Sequence, residues 1–117
     1  MTRTLMVLAV IALAVTPAGA QRGAMNPLRQ LPLTQEDFAM IGTAVNRLTE
    51  QERVGESAEW RNPDSGNGGS VTLLELFAEG GFDCRRVRHM VKIKGEADAK
   101  QMTFKTCRDT DGVWKLA

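Results

Sequence analysis

The chain has 117 residues, 43% of them apolar, with 15 lysines and arginines against 14 aspartates and glutamates. That is enough for one modest core, and it excludes paired domains, a doubly wound nucleotide-binding sheet and a barrel enzyme. A formal charge of +1 likewise excludes a globally basic nucleic-acid binder and an acidic disordered chain.

Residues 1–20 follow the plan of a secretory signal: Arg3 at the start, an apolar run from Leu5 to Val15, then Thr16-Pro17-Ala18-Gly19-Ala20 with small residues before a cut after Ala20. The run is too short for a bilayer, which takes about 20 residues. The expectation is an exported, periplasmic protein with no transmembrane segment in its mature chain. Gln21 to Leu33 carries Pro27 and Pro32 without a period and reads as an extended leader, so that residues 34–117 form a single domain.

Thr34 opens a helix, with Glu36 and Asp37 favourably placed against its dipole. Phe38, Ile41, Val45 and Leu48 make one apolar stripe, Glu50 to Arg53 its solvated end, and Gly55 its stop. Beyond it the signals are those of strands. Glu56 to Asn62 alternates, with Ala58 and Trp60 inward. Asn62 to Gly69 is dense in turn formers. Val71 to Ala78 is apolar on both faces and reads as a strand covered on both sides. After Gly80-Gly81 come strands at Cys84 to Lys94, Gln101 to Cys107 and, past Asp111-Gly112, Val113 to Leu116.

Cys84 and Cys107 are the only cysteines, an even count in a chain marked for an oxidising compartment, and they read as a structural disulfide. Placing them opposite one another sets a register in which Val87 faces Phe104 and His89 faces Met102. The hairpin then turns at Gly95-Glu96, as a type II′ turn. Val87, His89, Val91 and Ile93 share the inner face, and Arg86, Arg88, Lys92 and Lys94 take the other with the cysteines. The same register opposes Arg86 to Lys105, an unfavourable like-charge pair.

Charge is uneven along the chain: residues 35–64 hold seven acids and three bases, residues 84–117 nine bases and four acids. The face of Arg86, Arg88, Lys92 and Lys94 is the candidate contact with a polyanion, either anionic lipid or cell-wall polymer; a protein of the envelope is a further partner class. The bland alternative is a solvated face that discourages edge pairing. The strand lacks the aromatic interleaving of single-strand nucleic-acid platforms, so nucleic acid is not an expected partner. His89, the only histidine, reads as a hydrogen-bonded residue of the core or its margin, with copper or haem handling through His89 and Met102 as an alternative. A nucleophile elbow and a phosphate loop are both missing, and paired acids such as Asp109 and Asp111 sit in a turn where they bond backbone. The chain reads as a non-enzyme without a cofactor, a small periplasmic enzyme being the other alternative.

Trp60-Arg61-Asn62-Pro63, Ser65-Gly66-Asn67 and Gly69, then Cys84-Arg85, Cys107-Arg108 and Asp111-Gly112-Val113-Trp114 stand in an order that resembles the C-terminal domain of the seventeen-kilodalton surface antigens of Gram-negative bacteria, the rickettsial-type outer-membrane antigen family. The resemblance covers residues 55–117 and implies an envelope protein with no catalytic residues to carry over. Two features depart from it: Ala20-Gln21 stands where the family has a lipid-bearing cysteine, and residues 34–53 form an amphipathic helix with only Gly42 in place of a glycine zipper. A free periplasmic protein, able to associate with the outer membrane, is therefore expected. Trp60 and Trp114 read as core fillers. The fold expected is α+β: an N-terminal helix on a four- to five-stranded antiparallel sheet with one disulfide. The oligomeric state stays open.

Overall fold

A computed structural model describes residues 26–117; the expected signal, residues 1–20, and residues 21–25 of the expected leader lie outside the described residues. Thr34 starts the helix through a reciprocal cap: its Oγ1 accepts the Asp37 N–H at 3.1 Å, and the Asp37 carboxylate accepts the Thr34 N–H at 2.9 Å. Helix α1 runs Gln35–Glu50 and buries Ile41, Ala44, Val45 and Leu48, with Phe38 at the margin of the core. Its stop differs from the expectation. The residue that closes the last turn is Glu52 (φ 51°) rather than Gly55, which is also left-handed (φ 86°) but lies further on; the N–H groups of Glu52 and Arg53 close back on the carbonyls of Thr49 and Leu48. Gly55 instead donates its N–H to the Leu73 carbonyl at 2.7 Å and so leads into the sheet.

Five strands follow, each paired antiparallel with the next: β1 Ser57–Arg61, β2 Gly68–Glu79, β3 Phe82–Lys92, β4 Lys100–Arg108 and β5 Trp114–Leu116. One helix on a five-stranded antiparallel sheet, joined by the Cys84–Cys107 disulfide, is the fold the pattern predicts. The β3–β4 register agrees residue by residue: Cys84 opposite Cys107, Val87 opposite Phe104, His89 opposite Met102. Two terms of that register are modified. The turn is not type II′, because the Lys94 N–H is drawn to Asn67 Oδ1 at 2.9 Å. Gly95 (φ 84°) thereby falls at the third position of a turn closed by the Glu96 N–H on the Ile93 carbonyl, as a type II turn requires. The Arg86–Lys105 opposition is neutralised, since Glu75 and Glu79 of β2 reach across to Arg86 at 3.4 Å and Lys105 at 2.5 Å.

Strand β2 differs in two ways. It begins at Gly68, because Gly69 lies where no side chain fits: a Cβ there would meet the Met90 carbonyl oxygen at 2.0 Å. Glycine therefore belongs inside this strand rather than to the turn before it. The run Leu73-Leu74 also does not mean cover on both faces. A bulge between Leu73 and Glu75 inserts Leu74 and switches the alternation, leaving Ser70, Thr72, Glu75 and Phe77 on the face away from the helix.

The core lies between α1 and the sheet, with Val71, Leu73 and Val91 fully enclosed and Trp60 beside them. Leu28 joins it, which corrects the extended leader: Asn26 caps a 3-10 turn at Pro27–Gln30 that folds Leu28 inward. The helix sits over β1 and β2. On the same side of β4 and β5, Phe104, Thr106 and Trp114 are only half-buried.

Candidate functional site

The site is built outward from Asp37. Its side chain is fully buried and accepts four hydrogen bonds, from the Thr34 N–H (2.9 Å), Asn67 Nδ2 (2.9 Å), Asn62 Nδ2 (2.8 Å) and Ser65 Oγ (2.7 Å). Burial alone would raise this carboxyl; the donors from Asn67, Thr34, Ser65 and Asn62 outweigh it and hold the group well below the usual carboxylate range. The loop between β1 and β2 is thus pinned to the first turn of α1. Asn67 Oδ1 completes the junction by taking the Lys94 N–H, so one residue ties the helix, this loop and the end of β3 together. The sequence places Asp37 only against the helix dipole. The missed signal is the cluster of Asn62, Ser65 and Asn67, three uncharged donors in one loop with no acceptor of their own.

This junction sets the sheet face opposite the helix. There β1 presents Arg61, β2 presents Gly68, and β3 presents Lys92, side by side in register. Gly68 leaves a gap between the two cations, the floor of a shallow trough of about 660 Å³. Lys94, just past β3, lies over Gly66 at its rim; Glu59 and Glu96 also line it. Arg88 stands four residues back along β3, beyond Met90 on the same face and opposite Thr103 of β4.

The four predicted contact residues are therefore not equivalent. Arg88 and Lys92 stand on the helix-free face with no carboxylate partner among the described residues, Lys94 has moved into the turn, and Arg86 is engaged by Glu75 and stacks over Phe77 at 5.7 Å. Arg61 was missed. Its alternation with the buried Trp60 places it outward, and only the β1–β2 register brings it level with Lys92.

Cys84 and Cys107 lie on this face too, at the far end, with Cys84 enclosed. Glu79 sits close to both sulfurs, but the disulfide leaves no thiolate to bind a metal. Asp109 behaves as expected of a turn acid. Lys115 at 2.6 Å and the N–H groups of Val113 and Asp111 hold its carboxyl below the ordinary value.

On the helix side of β3, Arg85 and His89 are both buried. Burial, aided by the Arg85 charge, pushes His89 down to about 4, so the ring is neutral at neutral pH. The expected hydrogen bond is not seen at Nδ1, which has no partner among the described residues, and the ring stacks on Phe104 at 4.9 Å. Met102 shares its face and Met90 the opposite one, as the alternation requires. Trp114 is not a core filler; it lies half-exposed under Arg85 at 4.0 Å and Arg108 at 5.0 Å. Among the described residues no helix is long and apolar enough to cross a membrane.

The sequence model of a family described as the 17 kDa outer membrane surface antigen matches residues 47–115. A 17 kDa surface antigen of Rickettsia prowazekii (strain Madrid E) is 33% identical over 84 residues, covering 70% of this chain and 51% of the relative. The corresponding antigens of Rickettsia bellii (strain RML369-C) and Rickettsia felis are 32% and 33% identical over 86 residues, covering 72% of this chain and 52% of each relative. The chain thus spans about half the length of the curated relatives it matches. No solved structure matches.

Proposed function

This chain belongs to the 17 kDa outer membrane surface antigen family, and from that premise we propose that it is an exported, non-enzymatic envelope protein whose helix-free sheet face rests on an anionic lipid surface. The observation that carries this reading is the grouping of Arg61, Lys92 and Lys94 around the Gly68 gap, with Arg88 further along β3 on the same face, all without carboxylate partners among the described residues, while Arg53, Arg86, Lys105 and Lys115 are all paired. Cations left unpaired beside neighbours that are neutralised keep their charge for an external anion. The names of the relatives, surface antigens, support an envelope location. The non-enzymatic reading draws on the same names and on Asp37, the most enclosed carboxylate, being saturated by structural donors.

A basic side chain near an anionic bilayer contributes about 1 kcal/mol, so four contribute about 4 kcal/mol, roughly a thousandfold in partitioning. Replacing Arg61, Arg88, Lys92 and Lys94 together by Gln is expected to abolish co-sedimentation with phosphatidylglycerol vesicles at low salt. Raising the salt should release the unsubstituted protein. Equal sedimentation of the two proteins would overturn the reading, and retention on peptidoglycan but not on vesicles would replace the lipid by a cell-wall polymer.

A further inference from the structure

The helix and the β4–β5 half of the sheet leave a cleft of about 250 Å³ between them, on the side away from the cationic trough. Its middle is apolar, formed by Val87, Phe104, Phe38 and Ile41, and Gly42 of α1 borders open space there: a Cβ would meet no atom of the described residues within 4 Å. Arg29 stands at one end, over Phe38 at 5.3 Å, and Arg85 lines the cleft on the floor strand; among the described residues no acid lines it.

Arg85 is the informative residue. It is 92% removed from solvent yet has no carboxylate partner among the described residues. Its Nε donates to Thr106 Oγ1 at 3.2 Å, and Nη1 donates to Asn46 Oδ1 at 3.0 Å and Thr49 Oγ1 at 3.1 Å. These hold the guanidinium over the Trp114 ring, 4.0 Å from its centroid, and all three acceptors are neutral. A buried cation held by neutral groups alone is costly, and an anion seated on it removes that cost. His89 lines the same cleft, 97% buried, with Nδ1 unpartnered among the described residues.

We propose that this cleft binds a single-chain anionic amphiphile, its acidic head on Arg85 and Trp114 and its acyl chain between Phe104 and the Gly42 side of α1. The site lies on the other side of the sheet from the lipid-facing surface proposed above and stands independently of it.

The test follows the Trp114 indole N–H resonance while decanoate, decyl phosphate and decan-1-ol are titrated as monomers, with Trp60 as the internal control. The acids are expected to shift Trp114 saturably and at least tenfold more tightly than the alcohol, leaving Trp60 unmoved. The stronger acid identifies the source, a free fatty acid or a phospholipid fragment. Gly42→Leu fills the cleft from the helix and should weaken binding at least tenfold without lowering the thermal midpoint. Arg85→Gln should remove the preference for acid over alcohol. The quadruple Gln variant of the opposite face should bind decanoate unchanged. No saturable shift, equal affinity for the alcohol, or unaltered binding by Gly42→Leu overturns the proposal.

Discussion

Asp37→Asn is expected to cost the domain about 3–5 kcal/mol, because hydrogen bonds to a charged acceptor are each worth about 1.5–3 kcal/mol and the substitution places a donor among donors. Four groups converge on this carboxylate, and an amide offers one oxygen where two are in use. For a small domain the loss is a large part of a total of roughly 5–15 kcal/mol. The pH dependence fixes the cause. The folded carboxyl is held below its ordinary value of 3.8, so its contribution is complete above that pH and is lost as the pH falls below it. Urea unfolding at pH 7 and at pH 3 should therefore show a gap between Asp37→Asn and the unsubstituted protein that narrows in acid. A constant gap would mean that shape, not charge, is what Asp37 supplies.

Removing the disulfide is the second large effect. Cys84 and Cys107 are 23 positions apart, and a crosslink closing a loop of that size stabilises by about 3 kcal/mol through the entropy of the unfolded chain. The double variant Cys84→Ala, Cys107→Ala should lose about that much in urea unfolding while keeping the β3–β4 cross-strand contacts between His89 and Met102. These are set by the alternation of both strands as well as by the bridge. A loss below about 1 kcal/mol would show that the bridge adds little to pairing already in place. Asp37 and the bridge share no partner, so their costs should add.

The elements that the sequence disclosed best are those in which independent signals coincide. For β3 and β4 the cysteine pair, the alternation and the intervening glycine specify one register, and the structure has it. The helix stripe was legible for the same reason, cap and period agreeing. What escaped notice depended on contacts between distant segments. Gly69 is needed inside a strand because the Met90 carbonyl approaches it, and the helix closes at Glu52 while Gly55 bonds the distant Leu73 carbonyl. Leu28 is drawn out of an apparently featureless leader by a core 3-10 turn. The candidate site was half visible. Composition located the cations of β3, but the pairing of Arg86 with Glu75 and the recruitment of Arg61 required the β1–β2–β3 registers. Arg85, counted among the nine bases of residues 84–117, has inner-face parity with Val87 and His89; parity is the signal that sets it apart.

The claim on which the functional reading turns is that the sheet, not the helix, meets the anionic surface. Amide chemical-shift mapping with phosphatidylglycerol nanodiscs at low salt tests it most directly. Perturbations gathered at Arg61, Gly68, Arg88 and Lys92, with the exposed Gln35 and Glu50 of α1 unmoved, are the expected result. Perturbations centred on α1, or none at any of these amides, would contradict it.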